Sequence, residues 1–138
     1  MTKTTFALAI ITAGLLATGP AFADMMKFKV TLDGKSVVPP IETKANGTAD
    51  VTVDTTAKTI TWTIKSADLS GPPVAAHFHG PADVGADAPP EIDISKMVDT
   101  GTAPITDDIV AQINAGKVYL NIHTAKFPDG EIRGQVMK

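Results

Sequence analysis

The chain has 138 residues, a formal net charge of −3 and no cysteine. The absence of cysteine excludes disulfides, thiolate metal ligands and thiol nucleophiles. The 12 basic residues are scattered along the chain without forming a stripe, which argues against nucleic acid as a partner.

The first 23 residues have the features of a secretory signal peptide. Lys3 precedes an apolar run over residues 6–16, and residues 21–23 (Ala-Phe-Ala) have the small-x-small pattern of a signal peptidase site. The run is shorter than the roughly 20 residues of a transmembrane helix, so an uncleaved anchor is the weaker alternative. We therefore expect residues 1–23 to be removed. Residues 24–138 would then form one domain without a membrane span, in the periplasm or secreted.

Short segments with alternating apolar and polar residues make up most of the remaining chain. Phe28, Val30 and Leu32 alternate with polar residues, and the clearest hairpin joins residues 49–53 to residues 60–64. Gly, Pro, Asn and Asp separate these segments, and a period of two is typical of strands that bury one face. The pattern predicts an all-β domain with the single tryptophan, Trp62, in its core.

One short helix is predicted near the C-terminal third. Thr106 is a suitable N-cap, and the two aspartates that follow it suit the positive end of a helix dipole. Ile109, Val110 and Ile113 form an apolar stripe, and Gly116 is a typical C-terminal stop.

The three histidines of the chain lie in two predicted strands. His77 and His79 are two residues apart, so both imidazoles should project from the same face of an extended segment. His123 ends the run of residues 118–123, in which Val118, Leu120 and Ile122 form the core-facing set. All three histidines therefore fall on the side opposite the core, and three neutral imidazoles suit a transition metal.

Three blocks of sequence identify the chain as similar to the CHRD domain, a domain of chordin that is widespread in secreted bacterial proteins. They are residues 76–82 (AHFHGPA), 115–124 (AGKVYLNIHT) and 128–136 (PDGEIRGQV), in that order. Phe78 and Leu120 are mild departures from the usual pattern. The resemblance implies a Greek-key or immunoglobulin-like β-sandwich, which we expect to have about seven to nine short antiparallel strands and one short helix. It also implies that the three histidines, Glu131 and Arg133 are shared within the family, without fixing their role.

The leading functional hypothesis is an exported binding protein that holds a metal through His77, His79 and His123 on the exterior of the sandwich. Copper is favoured because the site has no thiolate and the compartment is oxidising, and zinc and nickel rank below it. Asn121, Glu131 and Arg133 are candidates for orienting the histidines, and the loop carboxylates Asp83 and Asp87 are further candidates.

Two alternatives stay open at this point. The first is a metal-free protein-interaction or matrix module, in which the histidines pin the loop of residues 80–90 and the partner is an extracytoplasmic protein. The second is a copper-only enzyme, because the H-x-H strand and the later histidine resemble the copper site of copper–zinc superoxide dismutase. This chain lacks that family's remaining histidines and its disulfide. Hydrolase and phosphate-binding motifs are absent, so the sequence leans towards a protein that is not an enzyme.

Overall fold

The computed structural model describes Gly19 and residues 24–138. The predicted signal peptide therefore lies outside the described residues, apart from Gly19. Within the described part of the chain, no helix is long and apolar enough to cross a membrane.

The described residues form eight antiparallel strands and one helix, in agreement with the all-β prediction. The elements in chain order are β1 (Met25–Asp33), β2 (Asn46–Asp54), β3 (Thr59–Ala67), β4 (Pro73–His79), β5 (Pro90–Asp93), β6 (Thr100–Pro104), α1 (Asp107–Asn114), β7 (Tyr119–Thr124) and β8 (Ile132–Gln135).

The strands make one sheet in the order β5-β4-β7-β8-β1-β2-β3-β6. Residues 94–99 connect the two outer strands and are themselves tied to the sheet. The backbone N–H of Ile94 donates to Ala76 O at 2.9 Å, and that of Ile64 donates to Asp99 O at 2.7 Å. The sheet is therefore nearly closed into a barrel, and the connection from β3 to β4 crosses between strands that are not neighbours, as in Greek-key folds.

The alternating apolar residues fill the interior of this barrel. Trp62 is 1% exposed and packs edge-on against Phe78, with ring centroids 5.9 Å apart. Gly101 lies opposite Trp62 in the β3–β6 pair, and a Cβ there would be 2.5 Å from the indole ring. The prediction that Trp62 belongs to the core is confirmed, and Gly101 is required by its bulk.

Helix α1 begins and packs as its sequence predicts. The side chain of Thr106 accepts a hydrogen bond from the backbone N–H of Ile109 at 3.3 Å. Ile109, Val110 and Ile113 are buried in the same core as the strands. Gly116 follows with a φ of +69°, the left-handed conformation that glycine adopts without strain.

Candidate metal centre

Strand pairing brings the three histidines to one place on the sheet. Strands β4 and β7 are adjacent, with Ala75 opposite His123 and His77 opposite Asn121. Ala76 and Phe78, which alternate with His77 and His79 along β4, are fully buried in the core. His77, His79 and His123 therefore share the non-core side of these strands, as the period of two predicts.

The imidazole rings form a compact cluster. One nitrogen from each histidine can be chosen so that all three lie within 4.8 Å of one another. Nδ1 of His77 and Nε2 of His123 are 3.3 Å apart. The ring centroid of His77 lies 5.3 Å from that of His79 and 5.2 Å from that of His123. Nitrogens that bind one ion lie at most about 4.2 Å apart, so this cluster could hold a metal ion after a small movement of the rings.

Two of the histidines each use one ring nitrogen to hold a backbone carbonyl. Nδ1 of His79 donates to Ala88 O and Nδ1 of His123 donates to Pro128 O, both at 2.9 Å. A carbonyl only accepts, so these bonds place the proton on Nδ1 and leave a lone pair on Nε2. Nε2 of His79 is buried and has no hydrogen-bond partner.

The third histidine faces a carboxylate on its outer side. Nε2 of His77 lies 3.7 Å from Oδ1 of Asp93, which lies opposite His77 in the β4–β5 pair. Asp93 is fixed in turn by the hydroxyl and the backbone N–H of Ser95. In the metal-free protein, Nδ1–H of His77 can donate to the lone pair on Nε2 of His123. Transfer of this proton to Nε2 of His77, which faces Asp93, would free Nδ1 to join the other two nitrogens.

Burial lowers the pKa of two of these imidazoles and so favours their neutral form. It lowers the pKa of His77, and the neighbouring His123 lowers it further, while Asp93 acts in the opposite direction. Burial also lowers the pKa of His79, against a smaller opposing effect of its hydrogen bond to Ala88. The neutral imidazole is the form that binds a metal.

Much of the non-core side is covered rather than exposed. The loop of residues 80–89 lies over it, so Tyr119 and Arg133 are each only 2% exposed. The Arg133 guanidinium stacks on the Tyr119 ring at 3.5 Å, and the Tyr119 ring stacks in parallel on His79 with centroids 4.8 Å apart. The expected exterior site is therefore a partly covered one, which limits the access of water.

Three polar side chains other than histidine tie this loop to the sheet. Arg133 donates to Ala86 O at 2.7 Å, Gln135 donates to Ala82 O at 2.8 Å, and the Tyr119 hydroxyl donates to Ala88 O at 3.1 Å. His79 adds one further bond, also to Ala88.

The residues expected to orient the histidines have different surroundings. Asn121 lies opposite His77 and donates from Nδ2 to Asp129 O at 3.3 Å, while its Oδ1 is buried without a partner. Arg133 reaches the cluster only through Tyr119. Of the loop carboxylates, Asp83 pairs with Lys117 and Asp87 with Arg133.

Glu131 belongs to a different cluster. Its carboxylate accepts hydrogen bonds from Thr43 Oγ1, from Thr124 Oγ1 and from the hydroxyl and backbone N–H of Ser70, at 2.7–3.1 Å. The role expected for Glu131, orienting a histidine, is replaced by that of a structural anchor. The carbonyls of Ala88 and Pro128 orient two of the imidazoles, and Asp93 faces the third. No local sequence pattern marks these three groups.

A groove of about 440 Å³ opens above two of the histidines. His79, Tyr119, Asn121 and His123 contribute to one part of its lining, and Val38, Pro39, Pro128 and Asp129 contribute to the rest. The cluster is thus reachable from outside through a defined opening.

The eight-stranded antiparallel fold with clustered histidines defines a small β-domain with a candidate metal site. The family model of the CHRD domain matches residues 28–136, which include all three histidines. The chain therefore belongs to the CHRD domain family, and the prediction from its three sequence blocks is confirmed.

The chain is also similar to a much longer protein. It is 33% identical over 125 residues to chordin of Danio rerio, a match that covers 78% of this chain and 12% of chordin. No solved structure gives a significant match.

Proposed function

We propose that this CHRD domain is an extracytoplasmic binding protein that holds one transition-metal ion. The ligands are Nδ1 of His77, Nε2 of His79 and Nε2 of His123. The observation that carries the proposal is the buried, unpartnered Nε2 of His79, within reach of two other imidazole nitrogens. A buried polar atom without a partner costs about 1–3 kcal/mol, and a bound ion would remove that cost.

Copper is the metal that the donor set favours. Imidazole nitrogens without thiolate suit copper, zinc and nickel, and copper(II) binds most tightly of the divalent first-row ions. Zinc and nickel remain the competing occupants. The signal-peptide pattern at the N-terminus supports a periplasmic or secreted location. Such a compartment is oxidising, which suits a copper site without thiolate ligands.

A metal-free interaction module is the second candidate. The hydrogen bond from His79 to Ala88 supports it, because this bond holds the loop of residues 80–89. However, the main restraints on the loop come from Tyr119, Arg133 and Gln135. We rank the metal site first because only His79 holds this loop and because its buried Nε2 has no hydrogen-bond partner.

A copper-only enzyme resembling superoxide dismutase is the lesser candidate. It would need the same three ligands and an open position on the metal, which the groove supplies. An assay of superoxide consumption by the copper-loaded protein tests it separately from binding.

Calorimetric titration with copper(II) tests the proposal directly. The protein should bind one ion per chain, and His77→Ala combined with His123→Ala should weaken binding by at least about 100-fold, because two of three ligands are lost. Met25→Ala is the control, since Met25 is exposed and carries a soft sulfur at the edge of the described chain. Unchanged affinity in the histidine double variant would overturn the proposal.

A further inference from the structure

The groove above the histidines has two walls, and a different histidine holds each of them. Ala88 belongs to one wall and Pro128 to the other. The carbonyl of Ala88 accepts a hydrogen bond from Nδ1 of His79, and that of Pro128 accepts one from Nδ1 of His123. Both histidines carry their metal-binding nitrogen, Nε2, at the other end of the same ring. Each of these imidazoles therefore connects the candidate metal site to one wall of the groove.

The two walls differ in how many other side chains restrain them. The first wall belongs to the loop of residues 80–89, and three further side chains donate to its carbonyls, those of Tyr119, Arg133 and Gln135. The second wall is the turn of residues 125–130. Among the described residues, only His123 and Asn121 donate from their side chains to its carbonyls, and the bond from Asn121 to Asp129 O is long, at 3.3 Å. The turn therefore depends on His123 more than the loop depends on His79.

A bound ion would act on both walls through these rings. The three candidate nitrogens lie within 4.8 Å of one another, so the rings have to move slightly closer to share an ion. An ion on Nε2 also withdraws electron density from the imidazole, which makes the N–H at Nδ1 a stronger hydrogen-bond donor. With His79 and His123 on one ion, the carbonyls of Ala88 and Pro128 become the two ends of one connected chain across the groove.

We propose that the metal cross-links the two walls of the groove, so that occupancy of the site controls how often the walls open. This inference rests on the proposed metal site. Without the ion, each wall opens independently of the other. With the ion bound, opening of either wall breaks a hydrogen bond that the ion has strengthened. Because coupling of this kind is reciprocal, closed walls favour metal binding by the same factor by which the metal favours closed walls.

Hydrogen exchange followed by mass spectrometry tests the cross-link, because hydrogen-bonded amides of a surface turn exchange through local opening. The backbone N–H groups of Phe127 and Gly130 donate within their turn at 3.1 and 3.0 Å, so they report on the wall of residues 125–130. Copper(II) should slow their exchange by roughly tenfold, the lower end of the effect that a hydrogen-bond partner of a histidine ligand has on metal affinity. Residues 80–89 should change less, because more side chains hold them.

The turn of residues 55–58 is the internal control for a general gain in stability. The backbone N–H groups of Thr56 and Ala57 donate to the carboxylate of Asp54, and this turn shares no hydrogen bond with the histidine cluster. Its exchange should be the same with and without copper(II). Equal slowing at residues 55–58 and 125–130 would show that the metal stabilises the fold as a whole, and would overturn the cross-link.

Two histidine variants form a matched pair, since each loses one ligand but only one loses a wall contact. At saturating copper(II), His77→Ala should retain the slowed exchange of residues 125–130, because His79 and His123 still share the ion. His123→Ala should lose it. Slowing that persists in His123→Ala would overturn the cross-link.

Calorimetry on the same unaltered protein separates this inference from the proposed function. Copper binding without slowed exchange of residues 125–130 would overturn the cross-link alone, whatever the two variants do. An absence of copper binding would overturn the metal site and the cross-link with it.

Discussion

Two buried polar clusters meet at the end of β7 and differ in how completely their hydrogen bonds are satisfied. His123 and Thr124 are consecutive residues, yet His123 belongs to the histidine cluster and Thr124 to the cluster around Glu131. Both oxygens of Glu131 accept hydrogen bonds from Thr43, Ser70 and Thr124.

The histidine cluster, by contrast, retains two buried atoms without partners, Nε2 of His79 and Oδ1 of Asn121. A completed network contributes to folding, because every buried group has its partner. An incomplete network keeps groups available for a ligand. Under the proposed function, Glu131 contributes stability and the histidines contribute binding, and the following changes test that division of roles.

Replacing one histidine should separate binding from stability most clearly. His123→Ala removes a metal ligand and should weaken copper binding by at least about 100-fold. His123 is partly exposed, so the free energy of unfolding should change by less than about 1 kcal/mol. Calorimetry and urea unfolding of the metal-free protein measure the two quantities. A large loss of stability with unchanged copper affinity would show that His123 serves stability and not binding.

Replacing Glu131 should have the opposite effect. Glu131→Gln removes the negative charge that the three hydroxyl groups and the Ser70 N–H solvate, and should cost about 1–3 kcal/mol of stability. Copper affinity should stay within about twofold. Glu42→Gln is the matched control, because Glu42 is exposed and lies near the same cluster.

The same residue should make stability depend on pH. Burial raises the pKa of Glu131, but the hydrogen bonds from Ser70, Thr124 and Thr43 outweigh burial and hold the pKa below its ordinary value of 4.5. A carboxyl with a lowered folded-state pKa contributes stability above its unfolded pKa, and this contribution is lost as pH falls through the folded pKa. Urea unfolding below pH 5 should therefore show a loss that Glu131→Gln lacks. If the unaltered protein and Glu131→Gln lost stability equally as the pH falls, the stabilising role of the Glu131 carboxylate would be contradicted.

Asp93 should tune the metal site without being a ligand. Asp93→Asn weakens the acceptor that faces Nε2 of His77, so copper affinity should fall by roughly tenfold. Asp99→Asn, at an exposed aspartate in the connection between β5 and β6, should leave the affinity unchanged. Equal effects of the two variants would indicate that only the general loss of negative charge matters.

Removing the negative charge of Asp129 at the groove should have the smallest effect of these changes. Asp129→Asn removes the carboxylate at the opening, so azide should bind the copper-loaded protein about twofold to threefold more tightly at low salt. The visible absorption of the copper–azide complex measures this change. The same azide affinity in both proteins would show that the Asp129 carboxylate does not affect the binding of anions in this groove.

The parts of the structure that depend on local sequence were predictable. The period of two placed Ala76 and Phe78 in the core and the histidines on the other side. Thr106 marked the start of the helix. These features depend on residues within a few positions of each other, so one sequence is sufficient to recognise them.

The partners of the buried polar groups depend on strand register and were not predictable. Asp93 faces His77 only because β5 pairs with β4, and Thr43 reaches Glu131 from 88 positions away. The sequence indicated only that Glu131 and Arg133 belong to a block that resembles the family pattern. It could not show that Glu131 accepts the hydrogen bonds of its own cluster, whereas Arg133 stacks on Tyr119.

The most direct test of the metal site is pulsed paramagnetic resonance of the protein loaded with one equivalent of copper(II). Three imidazole ligands should each contribute the signal of the remote ring nitrogen. His123→Ala should then show the loss of one imidazole. A spectrum without imidazole coupling, or one unchanged by His123→Ala, would contradict the three-histidine site.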